Sequence, residues 1–413
     1  MAQAGMKTVS GAPFVGVLFL YIAGFAALNN SPLGASPVLL AAYVGFALVL
    51  YALWQRMPLV ALAALFFVVM PFVVFDTLAH RPDSFGYEYI LGLGFGDMAA
   101  RYKAALLGQE SSWFLRGFFL FLTYPFANHA IPYEDGGFIP LNLFLLSLAA
   151  MTLRGLAADF AAHHGLSPRV SLIVQTALAL FLLSPTTLCY SNGLLKDQAS
   201  MLLVLLSALL FVRRHVVLGF FVLCLASGVR LYNVLIVFLY VMAVKPPGKT
   251  DYALLFAFFV AMIGLVRFDP VALFNMVFAT GYVYVNPLPY KIENWAFPTG
   301  LATAQGLFFF WGWAMSVVQI LAGSLRRKGL DRIAWSIALY GCVAVAVGYN
   351  NVVVLKGGLY DEWGLGGDDM MRKTMPILPL VCLQMAYALS CLFRRSGAAL
   401  PHRSYEATKK IAQ

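Results

Sequence analysis

The chain has 413 residues, of which 61% are hydrophobic and only 11% charged, and its mean hydropathy is +0.81. Soluble domains carry about 25% charged residues and roughly 45–50% apolar ones, so an ordinary soluble domain is excluded. The formal charge of +10 would suggest nucleic acid in a soluble protein. In a membrane chain it is first divided between the two sides, and no nucleic-acid partner is expected.

Twelve apolar runs read as spanning helices: 13–29, 37–54, 58–76, 138–153, 170–184, 198–212, 216–227, 231–244, 252–266, 301–322, 333–353 and 375–393. The runs are continuous rather than alternating, which excludes a β-barrel. The expectation is therefore an all-α, polytopic transmembrane protein, a single integral membrane domain over 1–413. A further run, 113–127, carries Arg116 and Pro125 and reads as re-entrant, dipping in from the outer side.

Charge sets the orientation. With the N-terminus in the cytoplasm, the inner loops collect Lys7, Arg56, Arg154, Arg169, Arg213, Arg214, Lys245, Lys249, Arg326, Arg327, Lys328 and Arg332, and the tail adds Arg394, Arg395, Arg403, Lys409 and Lys410. Only four acids (Asp159, Asp251, Asp331 and Glu406) share that side. Both ends are thus expected inside. A thirteenth span would place either Arg56 or the 326–328 run outside. The first run resembles a signal sequence, but 29–33 offers no small-x-small cleavage site, and an uncleaved anchor is expected. The five cysteines show no CxxC spacing and read as buried thiols.

Chemistry belongs on the outer side, where loops 77–137, 267–300 and 354–374 are long and rich in Tyr, Trp and Phe. The first opens with His80-Arg81-Pro82-Asp83-Ser84-Phe85-Gly86-Tyr87. Asp83 follows a Pro-fixed turn just beyond a span, and Tyr87 is a neighbouring candidate for substrate contact. Residues 95–107 have the period of a helix lying in the interface. The second constellation is Ser191-Asn192-Gly193-Leu194-Leu195-Lys196-Asp197, a polar turn before an apolar helix. Asp197 there is either a carboxylate favoured by the helix dipole or a functional acid. Asn192 and Lys196 are candidate contacts for a substrate phosphate.

Arg230 stands between runs 216–227 and 231–244, each too short to cross, so the tip of this hairpin is expected below the outer surface. A sunken Arg needs an anion; a phosphate fits its fork, and pairing with Asp197 or a loop carboxylate is the alternative. In the last outer loop, Asp368 and Asp369 are followed by Arg372. The acids are a candidate site for a metal or acceptor, Mg2+ or Mn2+ being the ions such oxygen ligands would take, and Arg372 is a candidate phosphate contact.

An acid in the first long outer loop, an interfacial helix after it, a second acid on a later helix and an outer-facing Arg resemble the GT-C superfamily of polyprenyl-phosphate-sugar glycosyltransferases. The 191–197 run also resembles the (W/Y)S-x-x-x-KD/KE stretch of membrane proteins from bacterial polysaccharide clusters. By that layout run 58–76 plays the family's first helix. The resemblance implies that Asp83 is the catalytic carboxylate and Asp197 the second acid, near the acceptor or a metal. It implies an inverting transfer on the outer face of the bacterial inner membrane, from a polyprenyl-phosphate or diphosphate lipid-linked sugar. An O-antigen or exopolysaccharide polymerase or ligase is the nearest alternative. A twelve-span transporter or lipid-linked-sugar flippase is the next, and a scaffold or acyltransferase the last.

Overall fold

The computed structural model of the chain describes residues 11–73, 100, 103, 123, 126, 137–164, 166, 170–191, 196–245, 249–271, 273–274, 292, 299–322, 331–349 and 374–397. Among them are thirteen α-helices, two short 3-10 turns and no strand. The helices are α1 (Gly11–Asn29), α2 (Pro37–Trp54), α3 (Pro58–Val73), α4 (Ile139–His163), α5 (Val170–Leu183), α6 (Pro185–Tyr190) and α7 (Asp197–Val212). After these come α8 (Val216–Val229), α9 (Asn233–Val244), α10 (Lys249–Leu265), α11 (Thr299–Ala322), α12 (Asp331–Tyr349) and α13 (Leu378–Gly397). Among the described residues two helices, α2 and α4, are long and apolar enough to cross a membrane.

Local chemistry sets the helix ends. Ser36 caps α2 by accepting from the Leu39 N–H at 3.3 Å, and Pro37 opens the first turn. At the other end Met57 N–H reaches the Ala52 carbonyl (2.8 Å) and Arg56 N–H the Leu53 carbonyl (2.9 Å), with Arg56 at φ 57°. The turn between α7 and α8 repeats this pattern. His215 N–H meets Leu210 at 2.9 Å and Arg214 N–H meets Phe211 at 3.1 Å, with Arg214 at φ 65°. Both are Schellman closures with arginine in the left-handed position that glycine usually takes. Arg267 and Phe268 take positive φ after α10.

The core is centred on α4, which packs against α2, α3, α5, α7 and α9. Phe144, Leu153, Leu156 and Phe160 of α4 are buried. Phe25 of α1 stacks on Phe144 with ring centroids 4.2 Å apart, and Tyr21 shares a 2.7 Å hydrogen bond with Ser147. The isolated Phe126, within the 113–127 run, lies 5.6 Å from the Phe144 ring on the same helix. On the other flank α13 packs against α5, α11 and α12. Among the described residues, large apolar side chains including Leu20, Phe46, Phe221 and Leu321 are exposed on the flanks of the helices.

Polar bridges gather at the two ends. At one end Arg154 donates to Gln55, Arg213 Nε to Asp159 at 2.8 Å, and Arg332 to the Lys245 carbonyl. At the opposite ends of these helices, Asn142 donates to the Ser191 carbonyl at 2.9 Å, and Arg230 to Asp197. These contacts explain a difference from the sequence-based boundaries. Run 138–153 was expected to end at Arg154, yet α4 continues to His163. Arg154 and Asp159 have partners on neighbouring elements, so their charges do not stop the helix. The six-residue α6 precedes the polar 191–197 stretch, and it starts where Ser184 Oγ accepts from the Thr187 N–H at 3.2 Å.

Candidate functional site

Asp197 is the first residue of α7, where the unpaired N–H groups of a helix favour a carboxylate. Arg230 ends α8 in extended conformation (φ −150°, ψ 120°), and the chain turns through Leu231 and Tyr232 before α9 begins at Asn233. The break between two short helices falls where the sequence suggested it. It carries Arg230 onto α7: Nη2 donates to Asp197 Oδ1 and Nη1 to the Tyr232 hydroxyl. The guanidinium carbon lies 5.6 Å from the centroid of the Tyr232 ring. The pairing of Arg230 with Asp197, one of the partners left open for it, is present.

The pair is deeply enclosed. The Asp197 side chain has 0% of its surface exposed and that of Arg230 10%. Removing two charges from water costs several kcal/mol per ion, offset only by close mutual contact and further hydrogen bonds. Neutral polar side chains supply a second contact: Ser200 Oγ donates to Asn233 Oδ1 at 3.0 Å, and Asn233 Nδ2 to the Ala226 carbonyl at 2.7 Å. Gln198, Thr186 and Thr187 are buried, as is Asn142 with its bond to Ser191. The ends of α4, α6, α7 and α9 thus bring a polar cluster into an apolar bundle.

Lys196 is half-buried beside Asp197. Asn192 lies outside the described residues, as do Asp83, Tyr87, Asp368, Asp369 and Arg372. Most of the 95–107 and 113–127 runs lie outside them as well. Two residues beyond Arg372, Thr374 is buried, and the following turn Met375–Ile377 packs against α7. Among the described residues no group of three or more His, Cys, Asp or Glu could hold a metal ion.

Sequence reasoning did not single out Ser200, Tyr232 or Asn233. One signal was present: Asp197 and Ser200 are three apart, as are Arg230 and Asn233.

No family model, no curated protein and no solved structure matches this chain.

Proposed function

We propose that the chain is a membrane-embedded glycosyltransferase of the bacterial inner membrane. It moves a sugar from a polyprenyl-phosphate-linked donor to an acceptor on the periplasmic face. The observation that carries this reading is the buried Asp197–Arg230 pair at one end of an apolar bundle. Ionisable side chains at such a place are costly to keep and mark sites of substrate handling.

Other features support it. Soluble monomers rarely expose large contiguous apolar patches, and an outward face carrying Leu20, Phe46, Phe221 and Leu321 suits lipid. The polar bridges at the two helix ends agree with a twelve-span path with both termini inside, since Arg154, Arg213 and Arg332 share one end and Arg230 the other.

In this reading a carboxylate, Asp83, accepts the proton of the acceptor hydroxyl as its oxygen attacks the anomeric carbon. The bond from that carbon to the phosphate oxygen breaks, and the electron pair leaves with the polyprenyl phosphate. Arg230, assisted by Lys196, stabilises the charge on the departing phosphate. Asp197 holds Arg230 rather than attacking substrate. Chain joining by a polymerase or ligase uses the same steps with a lipid-linked oligosaccharide as donor.

The test is transfer of labelled sugar from a polyprenyl-phosphate donor by the purified chain in liposomes. Asp83→Asn keeps shape and should lower turnover by roughly 10²–10⁴-fold. Arg230→Lys is the cleaner variant at the second position, because Arg230→Ala would leave the Asp197 charge buried without compensation at a cost of about 3–5 kcal/mol. It should raise the KM for donor and leave the protein folded. Passage of the labelled lipid-linked sugar across the bilayer without transfer would replace this reading by a flippase.

A further inference from the structure

Two side-chain bridges join α7 to the tip of the α8–α9 hairpin, and their registers match. Asp197 meets Arg230, and one turn further along α7 Ser200 meets Asn233; each pair is separated by 33 positions. The three-residue offset puts Asp197 and Ser200 on one face of their helix. A single bridge would let the turn pivot about it. The second contact, one helical turn away, removes that rotation.

Asn233 also closes the turn on itself. Its Nδ2 donates to the Ala226 carbonyl, the oxygen that accepts from the Arg230 backbone N–H at 3.0 Å. Its own backbone N–H returns to the Arg230 carbonyl at 3.0 Å. The side-chain amide offers its N–H to one segment and its oxygen to another. Ser200 and Asn233 are both buried, so water does not compete for these bonds.

We infer that Ser200 and Asn233 are positioning residues for Arg230. They fix the backbone from Ala226 to Asn233 so that the guanidinium meets a lipid-borne phosphate in one place. This rests on the reading of Arg230 as the contact for the donor phosphate. Arg230 stands in a break between two helices, and without the second bridge it would have to be ordered at the moment of binding. Holding it beforehand lowers that cost.

The test uses the purified full chain in nanodiscs, with a sugar-free polyprenyl monophosphate as the probe. Ser200→Ala should weaken its binding about three- to tenfold, the effect of one lost hydrogen bond, and Asn233→Ala, which loses two, at least as much. Ser200→Thr, which keeps the hydroxyl, should restore it. In an Arg230→Lys background Asn233→Ala should weaken binding no further, because it acts through the arginine. Equal losses in both backgrounds would overturn the inference. Amide exchange over 226–233 should speed up in Asn233→Ala, and unchanged protection there would overturn it too. If the wild-type chain does not bind the probe, the transferase reading fails instead. Exchange at the turn still decides whether the clamp exists.

Discussion

Tyr240 of α9 donates its hydroxyl to the Pro376 carbonyl at 2.6 Å, tying the short hairpin to the start of the last helix 136 residues later. Tyr240 stands seven residues into α9 from Asn233, about 10 Å along the helical axis. The entrance to α13 therefore lies toward the far half of α9. The sequence places the start of run 375–393 at the outer boundary. Met375, Pro376 and Ile377 are enclosed, packed against α7.

Tyr240→Phe tests this tie. Both atoms of the bond are in the interior, so losing the hydroxyl strips a carbonyl of a partner where water is scarce. The expected loss is about 1–3 kcal/mol of stability, read from denaturation of the purified protein in detergent. A variant as stable as the parent would show that the last helix is held by packing alone.

Asp159→Asn should behave differently. Arg213 Nε reaches Asp159 at 2.8 Å, but the two side chains keep 48% and 23% of their surface. Exposed pairs contribute about 0–1 kcal/mol. The variant should therefore unfold within that margin of the parent, and a larger drop would mean that this end of α7 is shielded by something more than its own helices.

The approach of α11 to α13 can be measured at Gly312. A Cβ built there would sit 2.6 Å from Val381 Cγ1, on a branched side chain with little freedom to move. Small residues at such crossings let backbones come close. Gly312→Ala should destabilise by roughly 1–3 kcal/mol, and Val381→Ala in the same chain should recover part of the loss. Additive losses in the double variant would place the strain elsewhere.

Cysteine labelling tests orientation. Asn30, after α1, and Arg214, after α7, are both exposed. In a variant lacking the five native cysteines, a thiol at 30 should react with an impermeant reagent added outside intact cells. One at 214 should react only after permeabilisation. Reaction of both from outside would reverse or break the twelve-span path, and the site assignments with it.

Which parts of this structure are legible in the sequence follows from what each part is made of. Helix after helix is visible as an apolar run, and the break at Arg230 is visible because an uninterrupted 216–244 helix would invert every charge count downstream. Ends are less visible. Arg154 and Asp159 read as the limit of a span, since nothing in the local sequence tells of Gln55 and Arg213 waiting across the bundle. Asp197 and Arg230 stand out as charges in apolar surroundings, yet whether they meet each other or a ligand is a matter of three-dimensional register. Ser200 and Asn233 hide more completely. A lone hydroxyl or amide in an apolar helix is common, and only the fold shows that these two share one bond. The acids Asp83, Asp368 and Asp369 remain readings of sequence, outside the described residues.

Two of the three arginines at positive φ, Arg56 and Arg214, carry a consequence for how the chain is made. Glycine at Arg56 and Arg214 would relieve the backbone by about 1–2 kcal/mol at each turn. Yet in the proposed orientation these two turns are among the positive charges that keep a nascent hairpin on the cytoplasmic side. Equilibrium stability and correct insertion thus ask for different residues at the same position. A chain with glycine at both turns should be harder to unfold once assembled, and should enter the bilayer in mixed orientations. In that orientation Arg56 and Arg214 would serve the moment of synthesis, and the finished bundle would retain their strain.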